Sequence, residues 1–262
     1  MNTSLRRHFF ALPRRWIIET ALAFRSQLGS FASIALFSFF TTSLLRIIPM
    51  FGEVIGSVWM SFCTVFLAYS LRDAQQGKRI SYMSLATLLK TQPTNIELFT
   101  LGVIFALMQN LFTLVISLTL HTGGSDTINV AEYIANNSTG MNVVTIGLFL
   151  LTVIITAMCS IFAPLFVTNQ GFRSYKAIFY SFFTVYKYWR PMIGITLAYI
   201  ATSIVLGLAF VALLFITQSP QLTVFIVPIP VAFLFGFWQM MSWCMYRDLV
   251  GLPEEPLVEI VD

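Results

Sequence analysis

The polar residues that could do chemistry in this chain are few, and the most conspicuous pair lies inside an apolar stretch. Gln109 and Asn110 are adjacent in the segment FALMQNLFTL. Polar side chains in the middle of a membrane must face other helices or a wet cavity. The pair therefore predicts either contact with a solute or lipid headgroup, or hydrogen bonds between helices. We favour hydrogen bonds between helices and keep the contact site as an alternative.

Residues typical of enzymes and metal sites are missing or isolated. The sequence has no nucleophile-elbow, zinc-protease, phosphate-loop or dinucleotide-binding motif. Cys63, Cys159 and Cys244 are far apart and suggest neither a disulfide framework nor a metal site. His8 and His121 are predicted to lie on opposite sides of a membrane. We therefore expect a non-enzymatic protein with no catalytic residue, no metal, no cofactor and no nucleic-acid partner.

Composition favours a membrane protein. Hydrophobic residues make up 57% of the chain and charged residues only 10%, whereas soluble domains carry about 25% charged residues. The mean hydropathy is +0.82. Residues 1–15 are basic and lack a long apolar run followed by a cleavage site, so we expect no cleavable signal peptide.

Six stretches are long enough to cross a bilayer, because about 20 apolar residues in a helix span its core. They lack the alternation of barrel strands. The sequence therefore predicts an all-α polytopic membrane protein, a single integral membrane domain over residues 1–262 with six transmembrane helices. The predicted spans are Gln27–Ile48, Gly52–Leu71, Leu98–Leu120, Met141–Leu165, Met192–Gln218 and Leu222–Tyr246.

The distribution of basic residues predicts the orientation. Of the fifteen Lys and Arg residues, all except Arg46 lie in the two termini or in the second-to-third and fourth-to-fifth connections. Positively charged loops stay in the cytoplasm, so both termini are predicted to be cytoplasmic in a bacterial inner membrane. The loop His121–Gly140 has no Lys or Arg and is predicted to face outward. Arg46 either pairs with Glu53 across the first hairpin turn or extends outward.

An amphipathic segment precedes each pair of spans, and we call these segments elbows. Ser81–Lys90 separates apolar from polar residues at helical spacing, and Arg14–Arg25 does so less cleanly, with Trp16 placed for a membrane interface. Such helices lie in the plane of the lipid headgroups. The third elbow, Ser174–Lys187, is the clearest, because its large residues recur on one face: Tyr175, Ile178, Phe179, Phe182, Phe183 and Tyr186.

These segments suggest three copies of one unit, an elbow followed by a transmembrane hairpin. Gly77, Gly171 and Gly251 mark equivalent positions in the copies. The arm and first elbow occupy residues 1–26 and the cytoplasmic tail residues 247–262. The remaining predicted divisions are hairpin 1 at 27–71, elbow and hairpin 2 at 79–165, and elbow and hairpin 3 at 173–246.

Two sets of residues follow as candidates for function. Pro164, Pro228 and Pro230 remove backbone donors inside predicted spans, so we expect them to kink those helices. Basic residues of the elbows are predicted to contact anionic lipid headgroups of the inner leaflet, at about 1 kcal/mol each. These candidates are Arg14, Arg15, Lys78, Arg79, Lys90, Arg173, Lys176, Lys187 and Arg190.

The order of basic arm, hairpin and Gly-x-Arg elbow resembles a broad group of uncharacterised bacterial six-span inner-membrane proteins. The residues that carry the likeness are Ala163-Pro164, Gly171, the aromatic elbow and Trp189-Arg190-Pro191, within FAPLFVTNQGFRSYKAIFYSFFTVYKYWRPMIGITLAY. The arrangement is also similar to the membrane domain fused to some glycerophosphodiester phosphodiesterases. The sequence contains no phosphodiesterase domain, so this activity is not implied. The resemblance implies a six-helix inner-membrane protein tied to envelope or lipid homeostasis.

Three functions remain open on this basis. The first is support of cell-envelope integrity or lipid homeostasis through binding of membrane lipids or a membrane-protein partner. The second is a small-solute transporter or channel that uses a kinked sixth helix with Gln109 and Asn110. The third is an accessory subunit of a membrane complex. A water-accessible cavity beside Asn110 is the feature that favours transport.

Overall fold

The computed structural model of the chain describes residues 3–80, 82–90, 94–121, 141–217 and 227–251. Within them the protein is all-α. The predicted outer loop after His121, residues 222–226 of the predicted sixth span and the tail beyond residue 251 lie outside the described residues. The described helices are α1 (Thr3–Ser26), α2 (Leu28–Arg46), α3 (Gly52–Gln75), α4 (Met83–Lys90), α5 (Thr94–His121), α6 (Met141–Ser160), α7 (Ala163–Gln170), α8 (Ser174–Lys187), α9 (Trp189–Thr217) and α10 (Pro228–Val250).

Five segments of the described chain are long and apolar enough to cross a membrane. They are Leu28–Arg46, Gly52–Gln75, Thr94–Leu111, Leu151–Gln170 and Trp189–Ala212. Five apolar helices of this length agree with a multi-pass membrane protein. The helix α10, which contains the described part of the predicted sixth span, is not among them. A span at this place stays a prediction.

The core of the bundle lies around α3, which packs against α2, α5 and α10. Small residues allow the helices to approach closely at two crossings. Gly102 of α5 lies directly on the backbone of Val58 in α3, and Gly236 of α10 lies on Ala35 of α2. A side chain at either glycine would collide with its neighbour. Small residues at helix contacts are typical of membrane bundles, where close backbone approach provides much of the attraction.

Three glycines end three helices in a left-handed backbone conformation. Gly77, Gly171 and Gly251 have φ angles of 72°, 61° and 94°. They follow the ends of α3, α7 and α10, where glycine commonly terminates a helix. No other glycine of the described residues has a positive φ. The three positions that mark the predicted repeat therefore share a positive φ, and the repeat itself stays a prediction.

The three candidate kink prolines all lie in the first turn of a helix. α6 ends at Ser160 and α7 begins at Ala163, so the helix is interrupted beside Pro164. Pro228 begins α10, and Pro230 lies in its first turn. Both residues therefore lie where α10 begins, and the predicted bend involves residues 222–226, which lie outside the described residues, so it stays a prediction. Proline suits this position because its missing N–H interrupts no helical hydrogen bond there.

Candidate functional site

The helix α8 turns its aromatic residues away from the rest of the protein. Its buried residues are small or β-branched: Ser174, Ala177, Ser181 and Val185. Tyr175, Phe179, Phe183 and Tyr186 are exposed, to between 48% and 68%. We call the exposed side, with Tyr175, Phe179, Phe183 and Tyr186, the α8 aromatic face. The pattern that predicted an amphipathic helix thus places the large residues outward.

Two polar anchors fix α8 on the bundle. At its N-terminus, the Glu97 carboxylate of α5 accepts a hydrogen bond from the Ser174 backbone N–H at 2.7 Å. A carboxylate at this position also favours the positive end of the helix dipole. In the middle of α8, the Ser181 hydroxyl donates to the Met158 carbonyl at 2.8 Å and accepts from the Phe162 N–H at 3.1 Å. Ser181 therefore satisfies backbone groups that the break between α6 and α7 leaves open.

Basic residues surround the α8 aromatic face. The Lys176 ammonium lies 4.0 Å from the centre of the Phe172 ring, and the Arg190 guanidinium lies 5.4 Å from that of Trp189. Arg173 and Lys187 flank the helix and are exposed. The other predicted lipid contacts, Arg14, Arg15, Lys78, Arg79 and Lys90, are exposed as well. All nine predicted lipid contacts are thus exposed at the surface of the protein.

One side chain at the junction of α1 and α2 bonds the residues just before the second elbow. Gln27, between α1 and α2, donates from its amide to the Lys78 carbonyl at 2.9 Å and accepts from the Ile80 N–H at 3.3 Å. Tyr82 then packs its ring 5.8 Å from that of Phe37 and 6.1 Å from that of Phe66. This elbow therefore begins against α2 and α3.

The predicted position of Trp16 at a membrane interface is wrong. Its ring is fully buried in the core, and its indole N–H donates to the Asp248 carboxylate at 3.0 Å. α1 packs against α9 and α10, which enclose this side chain. The first elbow therefore turns its large aromatic residue inward, opposite to α8.

An ionic cluster joins α1 to the end of α10, and we call it the α1–α10 cluster. Arg247 donates to Glu19 at 2.6 Å and to Asp248 at 2.9 Å. Arg15 donates to Glu19 at 2.6 Å. Gln75 at the end of α3 accepts from Arg247 at 3.3 Å. The cluster therefore joins the interior of α1 to the C-terminal ends of α3 and α10.

Charge and hydrogen bonding alter the pKa of the cluster's carboxylate. Burial acts to raise the pKa of Glu19, but hydrogen bonds from Arg15 and Arg247 outweigh it and hold the pKa below its ordinary value of 4.5. Burial acts to lower the pKa of Arg247, and its bond to Glu19 raises the pKa overall. Both groups are therefore charged at neutral pH, and their ion pair is intact.

Sequence reasoning did not single out Glu19, Arg247 or Asp248 as partners. The only signal was the similarity of Arg247-Asp248 to Arg72-Asp73 at the end of α3. In the structure Arg72 bonds its own neighbour Asp73 at 3.2 Å, and its guanidinium lies 4.2 Å from the centre of the Tyr69 ring. The shared dipeptide thus makes an ionic cluster in one place and a cation–aromatic stack in the other.

An apolar groove of about 570 Å³ lies between α2 and α3. Phe37, Leu44, Val58 and Phe62 line it, and Leu89 of α4 lies at its edge. The Trp59 indole N–H donates to the Thr41 hydroxyl at 3.0 Å. Because these polar atoms bond each other, the surface that lines the groove is apolar.

A second cavity, of about 190 Å³, is lined by both polar and apolar side chains. It lies between α3, α5, α6, α7 and α10, and Arg46 reaches it from the first hairpin turn. Its lining consists of Arg46, Ser57, Met60, Ser61, Thr64, Phe105, Gln109, Thr156, Ser160, Ile161, Pro164, Trp238, Gln239 and Ser242. Arg46 also lies 3.7 Å from Glu53, so the pairing alternative for these two residues is the one found.

The two candidate midplane residues separate at this cavity. Gln109 lines the cavity. Asn110 does not, and its side-chain amide donates to the Ala106 carbonyl of its own helix at 2.9 Å. The two side chains therefore face different directions, because adjacent residues of a helix point about 100° apart, and a shared contact site for them stays a prediction. Gln239 and the serines of α3 were not predicted as lining residues. Hydroxyl residues inside spans commonly bond their own helix, so the serines gave no signal of a site.

The described residues contain no group of three or more His, Cys, Asp or Glu side chains placed to hold a metal ion. Cys63, Cys159 and Cys244 are separate and buried. No family model matches the chain, and neither does any curated protein or solved structure. The arrangement of α8, its anchors and its surrounding cations is therefore the basis for a function.

Proposed function

We propose that the protein is a non-enzymatic, multi-pass protein of the bacterial inner membrane that binds anionic lipid at the cytoplasmic surface. In this proposal six spans form three hairpins, each preceded by an elbow, and both termini are cytoplasmic. Bound lipid would couple the protein to envelope integrity or lipid homeostasis. The observation that carries the proposal is the α8 aromatic face, which is exposed beside four exposed basic residues.

The physical argument rests on what such a face would meet. In water, exposing several Phe and Tyr side chains on one helix is unfavourable, at about 25 cal/mol per Å² of apolar surface. In the headgroup region the rings enter the acyl boundary, while tyrosine hydroxyls and ammonium groups stay hydrated. Lys176, Lys187, Arg173 and Arg190 are then close enough to anionic headgroups to be attracted to them. The small buried residues of α8 leave its large residues free for this contact.

The experiment measures which lipids stay bound. The purified protein is prepared in nanodiscs that contain phosphatidylcholine and phosphatidylglycerol in equal parts, transferred into mild detergent, and its retained lipids are measured by mass spectrometry. We expect phosphatidylglycerol to be enriched. The triple substitution Arg173→Ala, Lys176→Ala and Lys187→Ala should lower the enrichment by up to about fivefold for each cation.

A control separates this effect from general lipid contact. Ile204 and Val205 are exposed apolar residues of α9, far from the α8 cations in sequence. The double substitution Ile204→Ser and Val205→Ser should leave the phosphatidylglycerol enrichment unchanged. Equal lipid ratios for the wild type and the triple variant would remove the basis of the proposal. In the source bacterium, deletion of the gene should change envelope permeability.

A further inference from the structure

We propose that the second cavity, between α3, α5, α6, α7 and α10, is a binding site for a small uncharged polyhydroxyl group. This inference is independent of lipid binding at α8, because the two regions share none of the residues that carry them. The cavity holds about 190 Å³, roughly the room of six water molecules at about 30 Å³ each. A three-carbon polyol fits this space, whereas a disaccharide does not.

The cavity needs a polar occupant. The Gln239 side-chain amide lines it and forms no hydrogen bond with any described residue, and the same holds for the Thr156 hydroxyl. An amide that is shielded from water and has no hydrogen-bond partner raises the free energy of the folded protein. Since α10 and α6 hold these groups inside the bundle, water or a polar ligand has to satisfy them.

The charges of the lining favour a neutral ligand. Arg46 is the only charged residue among the residues that line the cavity. Its guanidinium lies 3.7 Å from Glu53, which offsets much of its charge. A cation would find no carboxylate in the described lining, and an anion would compete with Glu53 for Arg46. An uncharged ligand meets neither obstacle.

The pattern of donors and acceptors favours hydroxyl groups. On the buried floor, Ser61 donates to the Ser57 carbonyl at 3.2 Å and Thr64 to that of Met60 at 2.9 Å. On the facing wall, Ser242 donates to the Gln239 carbonyl at 2.6 Å. Their hydroxyl hydrogens are therefore engaged, and the oxygens present lone pairs to the cavity. Gln239 and Arg46 supply N–H donors.

A hydroxyl group both donates and accepts hydrogen bonds. Adjacent hydroxyls of a polyol can therefore donate to the hydroxyl oxygens of the floor and accept from Gln239 and Arg46. This chemistry has two sources in a membrane, a free polyol or the glycerol headgroup of a lipid such as phosphatidylglycerol. Arg46 and Gln109 are exposed at the edge of the cavity, so both sources have access.

Cysteine labelling tests the site. Ser61 is 3% exposed and lies on the floor, and Ser61→Cys changes only oxygen to sulfur. The variant is placed in phosphatidylcholine nanodiscs, and its reaction with a small water-soluble methanethiosulfonate is followed by mass spectrometry. The wild type, with three buried cysteines, gives the background. Ser242→Cys on the facing wall replaces it if Ser61→Cys does not purify as a single species.

We expect the new thiol to react, and glycerol to slow the reaction at least threefold, while sucrose at equal osmolality does not. Slowing by glycerol alone identifies a free polyol. A reaction that is slow in nanodiscs that contain phosphatidylglycerol, with no glycerol added, identifies the lipid headgroup as the ligand. A thiol that reacts at the same rate in every condition shows a cavity that holds only water and overturns the proposal. A thiol that does not react overturns the cavity as an accessible site.

A matched pair of amide substitutions tests the residues. Gln239→Leu in the Ser61→Cys background should weaken the apparent affinity for glycerol, or for phosphatidylglycerol, about fivefold, because one net hydrogen bond is lost. Asn110→Leu also removes a membrane amide, but Asn110 bonds its own helix outside the cavity. Its effect on protection should be absent. Equal effects of both substitutions would show a general change of the bundle instead of a ligand contact.

Discussion

α1 and α8 have similar sequence patterns and opposite placements. The sequence of each predicts an amphipathic helix with basic residues, and each precedes a long apolar helix. α1 buries Trp16 completely and joins Asp248 through it. α8 buries Ser174, Ala177 and Ser181 and leaves its aromatic residues outside. The same pattern therefore yields one helix that is part of the core and one that presents a surface.

The difference lies in the partners that each helix finds. On α1, Trp16 and Glu19 meet Asp248 and Arg247 of α10, so the polar atoms of large side chains are satisfied inside the protein. On α8, small side chains allow close packing, and Ser181 satisfies two backbone groups of the α6–α7 break. An amphipathic pattern thus identifies two faces of a helix. Contacts with the neighbouring helices determine which of the two faces is buried.

Removal of Trp16 should have the largest effect on the protein. Trp16→Ala deletes a fully buried ring and its hydrogen bond to Asp248. Such truncations lower the free energy of unfolding by about 3–5 kcal/mol. The measurement is unfolding in detergent with increasing SDS, followed by circular dichroism.

The matched substitution on α8 sharpens the comparison. Tyr186 is 64% exposed, so Tyr186→Ala should change the free energy of unfolding by less than about 0.5 kcal/mol. It should still reduce retention of lipid, since the ring belongs to the α8 aromatic face. Similar losses of stability for Trp16→Ala and Tyr186→Ala would mean that both helices belong to the core.

Ser181 should be the strongest single contributor to the position of α8. Ser181→Ala leaves the Phe162 N–H without its hydroxyl partner in a buried place. An unsatisfied buried donor lowers the free energy of unfolding by about 1–3 kcal/mol. The control is Ser203→Ala, because that hydroxyl only donates to the Tyr199 carbonyl of its own helix. A Ser203→Ala loss as large as that of Ser181→Ala would contradict the special role of Ser181.

Much of the fold was accessible from the sequence because a bilayer restricts what the chain can do. Long apolar runs must be helical in lipid, since every backbone group has to bond within its own segment. The five apolar helices overlap five of the predicted spans. Gly77, Gly171 and Gly251 were also readable, because a left-handed helix end favours glycine over other residues.

The candidate sites were much less accessible, because they depend on contacts between distant segments. Glu19 and Arg247 are 228 residues apart along the chain, and neither forms a recognisable motif. Gln109 and Asn110 looked equivalent, but the rotation of α5 places only Gln109 at the cavity. Trp16 was misplaced because an interface and a buried pocket both suit an indole ring with one hydrogen-bond donor.

The α1–α10 cluster predicts that the attachment of α1 to α10 depends on pH. The pKa of Glu19 is held below 4.5, so its ion pairs stabilise the fold above that pH and are lost as the pH falls through the lower, folded-state pKa. Since Glu19 and Arg247 are partly exposed, we expect only about 1 kcal/mol. A double-mutant cycle of Glu19→Gln and Arg247→Gln, measured at pH 7 and at acid pH, should show coupling at pH 7 only. Equal coupling at both pH values would show that the contact does not depend on the charge of Glu19.

A moderate effect is expected at Gly171, the left-handed residue between α7 and α8. Its φ is 61°, and a side chain there would meet open space, so only backbone strain opposes substitution. Gly171→Ala should lower the free energy of unfolding by about 1 kcal/mol, the energy of a left-handed conformation for alanine. Gly207→Ala is the control: this glycine lies within α9, also in open space and without a positive φ, and alanine there favours the helix. No glycine with a positive φ lies at the junction of α1 with α2, and the Gln27 side chain holds this junction. Strain at Gly171 should therefore disturb lipid retention at α8 and leave the α1–α10 cluster intact. If Gly171→Ala and Gly207→Ala have the same effect on stability, α8 is positioned by its side-chain anchors alone.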